Sequence, residues 1–119
     1  MAIQESVRAF TLPAGADLST HQYAFVEINA SGTISLCADD AHADGVLLND
    51  PKTGEAAVVA LPGSIVKVRC GAAVTRGGNI SSGANGRGKN ADTNAAVNGT
   101  ALETGANNRI ISILFHPRG

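Results

Sequence analysis

Apolar and polar positions alternate in several short runs, each closed by Gly, Pro, Asn or Asp, which is the pattern of β-strands with one buried face. Tyr23 to Ile28 is rich in aromatic and β-branched residues, Asn29-Ala30-Ser31-Gly32 is turn-like, and Thr33-Ile34-Ser35-Leu36 alternates again, which predicts a β-hairpin. The Asp39–Asp44 segment interrupts the pattern. Gly45-Val46-Leu47-Leu48 resumes it, and Asn49-Asp50-Pro51-Lys52-Thr53-Gly54 is a turn whose Pro and Gly supply the required dihedrals. Ala56 to Leu61 is an apolar run bounded by Pro62-Gly63. From Ile65 to Cys70, Val66, Val68 and Cys70 share one face, and Lys67 and Arg69 the other.

The second half is harder to divide. From Arg76 to Asn94 the chain is nearly all Gly, Asn, Ser and charge, which predicts a long loop or a pair of short irregular strands. Ala95 to Glu103 is the only stretch with helical character, but it contains Gly99, which costs about 1 kcal/mol against Ala in a helix interior, and it is not assigned as a helix. Arg109 to Phe115 interleaves Ile111, Ile113 and Phe115 with Ile110, Ser112 and Leu114, the pattern of a central strand buried on both faces. Val7, Phe10 and Leu12, followed by Pro13-Ala14-Gly15, suit an extended arm or an edge strand. Strands at this spacing, with no internal repeat of solenoid length, predict an all-β protein, a small β-barrel or sandwich.

Composition adds a constraint on the core. Of 119 residues 44% are hydrophobic, yet the aromatics are only Phe10, Tyr23, Phe25 and Phe115, so the core is aliphatic and thin, and a subunit partner or docking surface is expected. No run of eighteen apolar residues suits a membrane span, and Met1–Glu5 lacks the features of a secretory signal, which reads as a soluble protein made in the cytoplasm. The formal charge of −1 argues against a strong grip on nucleic acid. Its distribution is uneven: residues 1–63 hold two basic and eight acidic side chains, a net of −6, and residues 64–119 hold seven basic and two acidic, a net of +5. Either the halves interleave and neutralise each other, or opposite patches meet between subunits.

Candidate chemistry is sparse. Gly83 to Asn90 fits G-x-x-x-x-G-K but places Asn90 where a phosphate loop needs Ser or Thr, and it neither follows an apolar strand nor opens a helix, so it reads as a solvated turn. Asp39, Asp40, His42 and Asp44 are ligand types for a cation but lack loop spacing, which leaves an acidic turn between strands. His21, His42 and His116 have no nucleophile elbow to serve, and no paired carboxylates are identifiable. Cys37 and Cys70 stand apart and read as buried small hydrophobes. No enzyme, cofactor or metal site is assigned.

The stretch from Gly45 to Gly63, with Gly45-Val46-Leu47, Asn49, Pro51, Gly54-Glu55 and Val58-Val59, is followed by Val66-Lys67-Val68, the Gly71–Val74 turn, the Gly86-Arg87 turn, and Gly99 to Glu103 before Ile110 to Leu114. From Tyr23 to Pro117 this resembles the capsid decoration, or cement, proteins of tailed-phage heads. The resemblance implies a β-barrel or β-clip-like fold, no catalysis and no cofactor; together with the extended first residues this gives a single domain over residues 14–119 and an N-terminal arm over residues 1–13. It also implies a virion protein on the outer capsid surface that bridges major capsid protein subunits and stabilises the expanded head. A homotrimer suits the local threefold positions of such a shell, with no nucleic acid or membrane partner. The expected capsid or subunit contacts are Val7, Arg8, Phe10 and Leu12 of the arm, with Phe10 and Leu12 as anchors, and Lys67, Arg69, Arg76 and Arg87 of the basic half. The alternative is a small β-barrel that binds carbohydrate or peptide, although no tryptophan and a single tyrosine supply a sugar platform poorly.

Overall fold

A computed structural model describes residues 8–118. The first half of the chain forms β1 (Ala9–Pro13), β2 (Phe25–Ile28), β3 (Ile34–Leu36), β4 (Gly45–Leu47) and β5 (Ala56–Ala60), paired in the order β1-β5-β4-β2-β3. The second half forms β6 (Ser64–Arg69), β7 (Asn79–Ser82), β8 (Gly88–Asn90), β9 (Val97–Ala101) and β10 (Ile110–Arg118), in the order β6-β10-β9-β7-β8. Every ladder is antiparallel. Among the described residues there is no α-helix, only a 3-10 turn at Ala84–Gly86.

The two strand orders are the same order. Each pairing among β2 to β5 recurs 54 residues later among β7 to β10: Val26 with Leu36 becomes Ile80 with Asn90, Val26 with Gly45 becomes Ile80 with Gly99, and Leu47 with Val59 becomes Ala101 with Ile113. The first strand of each half is offset by 56 instead, so that Phe10 opposite Val59 becomes Val66 opposite Ile113. The hydrogen bonds between elements repeat as well. Asn29 N–H to Thr33 O is matched by Gly83 N–H to Arg87 O, Tyr23 N–H to Leu47 O by Gly77 N–H to Ala101 O, and Gly54 N–H to Ala14 O by Asn108 N–H to Cys70 O. The protein is two copies of one five-stranded unit in tandem.

Within each unit the sheet curls until its two edge strands meet at a single residue pair, Ala14 with Ile34 in the first and Cys70 with Gly88 in the second. The all-β class is as expected, and in place of the small β-barrel the strands form two five-stranded sheets, neither closed by a ladder. Edge strands of three residues, β3 and β8, are too short to carry a closing ladder.

Each unit fills its own interior with aliphatic side chains. Ala14, Leu18, Val26, Ile34, Leu47, Ala57 and Val59 form the first cluster, with Phe10, Leu12 and Leu36 packed against it. In the second unit Val66, Val68, Cys70, Val74, Ile80, Ala101, Ile111 and Ile113 occupy the corresponding space, joined by Phe25, Val46 and Ala60 from the back of the first sheet and by Phe115. The Phe25 and Phe115 rings lie 6.1 Å apart, tilted by 40°, at this junction. Period-two alternation thus gives the first sheet two buried faces: Val26, Leu47 and Val59 inward, Phe25, Val46 and Ala60 onto the second unit.

Several local expectations change on this framework. The β2–β3 hairpin and the β4, β5 and β6 strands form where the alternation predicts, and residues 76–94 resolve into the short strands β7 and β8. The Ala95–Glu103 stretch contains strand β9, because Gly99 lies against β10, where a Cβ would overlap the Leu114 carbonyl. Strand β10 pairs on both edges, but only one of its faces is buried throughout: Ile111, Ile113 and Phe115 are enclosed, whereas Leu114 on the other face is 38% exposed. The acidic and basic halves do not interleave, since each folds into its own unit. Of the segment read as an arm, residues 9–13 are the edge strand β1 on β5.

Candidate attachment surfaces

The structure separates the expected contact residues into groups. Val7 lies outside the described residues. Arg8 is exposed and its carbonyl accepts from Leu61 N–H, while Phe10 and Leu12 are half-buried against their own sheet on β1. Lys67, Arg69 and Arg87 belong to the second unit, near its junction with the first. Lys67 Nζ sits 5.8 Å from the centre of the Tyr23 ring, within cation–π range. Arg69 donates its backbone N–H to Tyr23 O at 3.0 Å, and its Nη1 to Asn108 O at 2.8 Å. Arg87 Nη1 donates to Asn108 Oδ1. Asn108 thus gathers two guanidiniums with neutral acceptors, from a left-handed conformation (φ +70°) that asparagine tolerates. Arg76 stands elsewhere, its Nε donating to Leu102 O at 3.1 Å and its backbone N–H to Thr104 Oγ1.

Among the described residues, the cation bound by carboxylates in this region is Lys89. Its Nζ lies 2.7 Å from Asp40 Oδ1, 3.0 Å from Asp39 Oδ1 and 3.5 Å from Asp92 Oδ2, and hydrogen bonds to Asp40 and then Asp39 hold its pKa above the ordinary lysine value. The acidic turn of the first unit is therefore an anchor for β8 of the second. Asp44, the third carboxylate of that turn, accepts Ile28 N–H instead. The G-x-x-x-x-G-K stretch forms the β7–β8 hairpin and its strand, and its lysine is the Lys89 of this cluster. Beside it opens a pocket of about 370 Å³, lined by Gly71, Gly83, Asn85, Arg87, Lys89 and Asn107 among others.

The other reactive groups are also engaged. Both thiols are buried and free. Burial pushes Cys37 up to about 11 and raises Cys70, so neither favours its thiolate. His116 Nε2 lies 3.1 Å from Thr100 Oγ1. Among the described residues no three His, Cys, Asp or Glu side chains converge as a metal site.

Among the described residues three large hydrophobic side chains face solvent: Ile28 at 45%, and Leu102 and Leu114 at 38% each. The alternation marks none of them as exposed and reads Leu114 as buried, and it gives Asn108 no role. Self-alignment at an offset of 54 brings Ala30, Gly32, Ala41, Gly45 and Leu48 onto Ala84, Gly86, Ala95, Gly99 and Leu102, and of Ile28, Leu102, Leu114 and Asn108 it singles out only Leu102.

No protein-family model matches the chain, and no curated protein sequence does. Among solved structures the chain is similar to the N base of the head fiber gp8.5 of bacteriophage phi29. The TM-score is 0.74 at 21% identity, covering 92% of this chain and 93% of that one. The likeness establishes a shared all-β fold over nearly the whole of both chains.

Proposed function

We propose that this protein is a non-enzymatic structural protein of a phage head, attached to the outer capsid surface through the major capsid protein and stabilising the head in the manner of a decoration protein. The observation that carries the reading is the fold shared along almost the full length with a phage head fiber base. The sequence resemblance to head decoration proteins points to the same location. The side-chain chemistry agrees: Asp39, Asp40 and Asp92 are used on Lys89 and Asp44 on a backbone N–H, and burial raises both thiols. Binding is by surface, from a rigid module that repeats its contacts over a symmetric shell, so weak contacts act together. A homotrimer is the favoured assembly, matching the local threefold positions of a shell.

Arg69 and Arg87 are the proposed capsid contacts of the basic unit. Their hydrogen-bond acceptors are the neutral oxygens of Asn108, so both guanidiniums keep their full charge for an acidic surface. The test is co-sedimentation of the purified protein with expanded capsids that lack it, counting bound copies per capsid subunit. Saturable binding at a simple ratio supports the reading. A well-folded protein that stays in the supernatant refutes it.

A further inference from the structure

The pocket beside Arg87 lies over the β7–β8 hairpin, and the equivalent hairpin of the first unit shows how it comes to be open. At an offset of 54, Gly83, Asn85, Arg87 and Lys89 correspond to Asn29, Ser31, Thr33 and Ser35. In the first unit those four side chains bond to one another. Asn29 Nδ2 donates to Thr33 Oγ1, Ser35 Oγ donates to Asn29 Oδ1, and Ser31 Oγ pairs with Thr33 Oγ1, each at 3.0 Å. In the second unit glycine stands in place of Asn29, the centre of that network, and Arg87 and Lys89 turn to Asn108 and to carboxylates instead. What is left is a pocket of about 370 Å³, a size that small-molecule sites commonly have.

Three kinds of lining meet there. Arg87 is half-buried and held by packing, since a Cβ at Gly71 would stand 2.9 Å from Arg87 Cβ. One of its five N–H donors is given to Asn108 Oδ1, which leaves the others for a ligand. Asn85 and Asn107 bring exposed carboxamides that form no side-chain hydrogen bond among the described residues. Lys89 contributes its stem rather than its charge. Its ammonium is taken by Asp39, Asp40 and Asp92, while its Cδ and Cγ lie 3.3 and 3.5 Å from where a Gly83 Cβ would stand. Ala72 and Ala84 add methyl groups to the same lining.

This combination selects a ligand. A guanidinium matches a planar carboxylate. A phosphate fits less well, because the lysine that would share its charge is already committed to three carboxylates. A carboxylate alone would leave the two carboxamides and the apolar lining unmatched; hydroxyls next to it satisfy carboxamides, which both donate and accept, and C–H groups suit methyls and methylenes. We propose that the pocket binds an acidic saccharide, with the carboxylate of a hexuronate residue on Arg87, its hydroxyls on Asn85 and Asn107, and its carbon skeleton against the Lys89 stem. The chain has no tryptophan to stack on a neutral sugar, and the charge-assisted pair with Arg87 takes the place of stacking. The inference goes beyond capsid attachment and does not rest on it, since Arg87 has donors enough for both.

The test is titration of the purified full chain at low salt with sodium glucuronate, glucose and sodium acetate in turn, followed by NMR of the backbone amides. Glucuronate is expected to shift the amides of Gly71, Asn85, Arg87 and Asn107 saturably, and to bind about tenfold more tightly than glucose, which lacks the carboxylate, or acetate, which lacks the hydroxyls. Arg87→Gln and Gly83→Asn are each expected to weaken glucuronate about tenfold or more, the second because it returns to the pocket the side chain that Asn29 supplies in the first unit. Gly83 has extended backbone (φ −104°, ψ −157°), so a side chain is admitted there. Dispersed amide spectra check that each variant is folded, and Gly83→Ser replaces Gly83→Asn if that one is not. Shifts that do not saturate, glucose or acetate binding as tightly as glucuronate, or glucuronate binding unchanged in the folded position-83 variant overturns the proposal. The titration contains no capsid, so its failure leaves the attachment standing, and a protein that binds glucuronate but stays in the supernatant in co-sedimentation fails only the attachment.

Discussion

The duplication supplies its own control for the internal junction, in the paired glycines at the tips of the two first hairpins. Gly32 and Gly86 hold the same place and similar left-handed conformations, φ +83° and +71°, so an alanine at either bears the same backbone strain of about 1–2 kcal/mol. The gain from a stiffer unfolded chain is also the same at both sites. The environments differ. An alanine Cβ at 32 meets nothing within 4 Å, whereas at 86 it overlaps the Phe25 carbonyl oxygen and stands 3.3 Å from Ala24 Cβ across the junction. Forcing the units apart to admit it adds about 1–3 kcal/mol, the usual range for overpacking. Gly32→Ala is therefore expected to cost about 1–2 kcal/mol and Gly86→Ala about 2–5 kcal/mol, or roughly 4 °C of melting temperature per kcal/mol for a chain of this size. Urea unfolding of dilute protein measures both, with self-association excluded by concentration. Equal losses in the two variants would refute the argument that the junction is tightly packed at Gly86.

The remaining predictions concern charges and thiols. Lys89→Met removes the ion cluster that ties β8 to the acidic turn; the carboxylates are well exposed, so the loss is roughly 1 kcal/mol and shrinks in high salt. Because the lysine pKa is raised, the stability gap between native protein and variant stays constant from neutral pH upward and closes only above the ordinary lysine value of 10.5; a gap that closes between pH 7 and 9 contradicts this. With Cys37 pushed up to about 11, on the order of one thiol in a thousand is ionised at pH 8, so a thiol reagent should label neither cysteine in the native state and both after denaturation. Rapid native labelling would show that the core around them opens. If Arg69 and Arg87 meet an acidic capsid, their double substitution by Gln weakens co-sedimentation, and the native protein's attachment weakens as salt rises from physiological to molar. Salt-independent attachment, unchanged in the double variant, would move the contact to an apolar surface.

Most individual strands were legible in the amino-acid order because alternation and turn residues act locally. Tyr23 to Leu36 spells its hairpin, Ile65 to Cys70 its two faces, and Asn49 to Gly54 the turn between β4 and β5. Where glycine and asparagine replace hydrophobic side chains, as in β7, β8 and β9, the local signal fades and long-range pairing holds the backbone: Gly99 is a strand residue because β10 lies against it. The duplication is faint in the amino-acid order for the same reason, since the two units share a register of backbone hydrogen bonds and very few side chains. The attachment residues depend on the tertiary structure most of all. Sequence marked Arg69 and Arg87 by charge alone, whereas Asn108, which joins them, and Ile28, Leu102 and Leu114, which stand exposed, take their roles from positions tens of residues away. Local pattern determines which residues can form a strand; which face of that strand is covered depends on where the rest of the chain comes to lie.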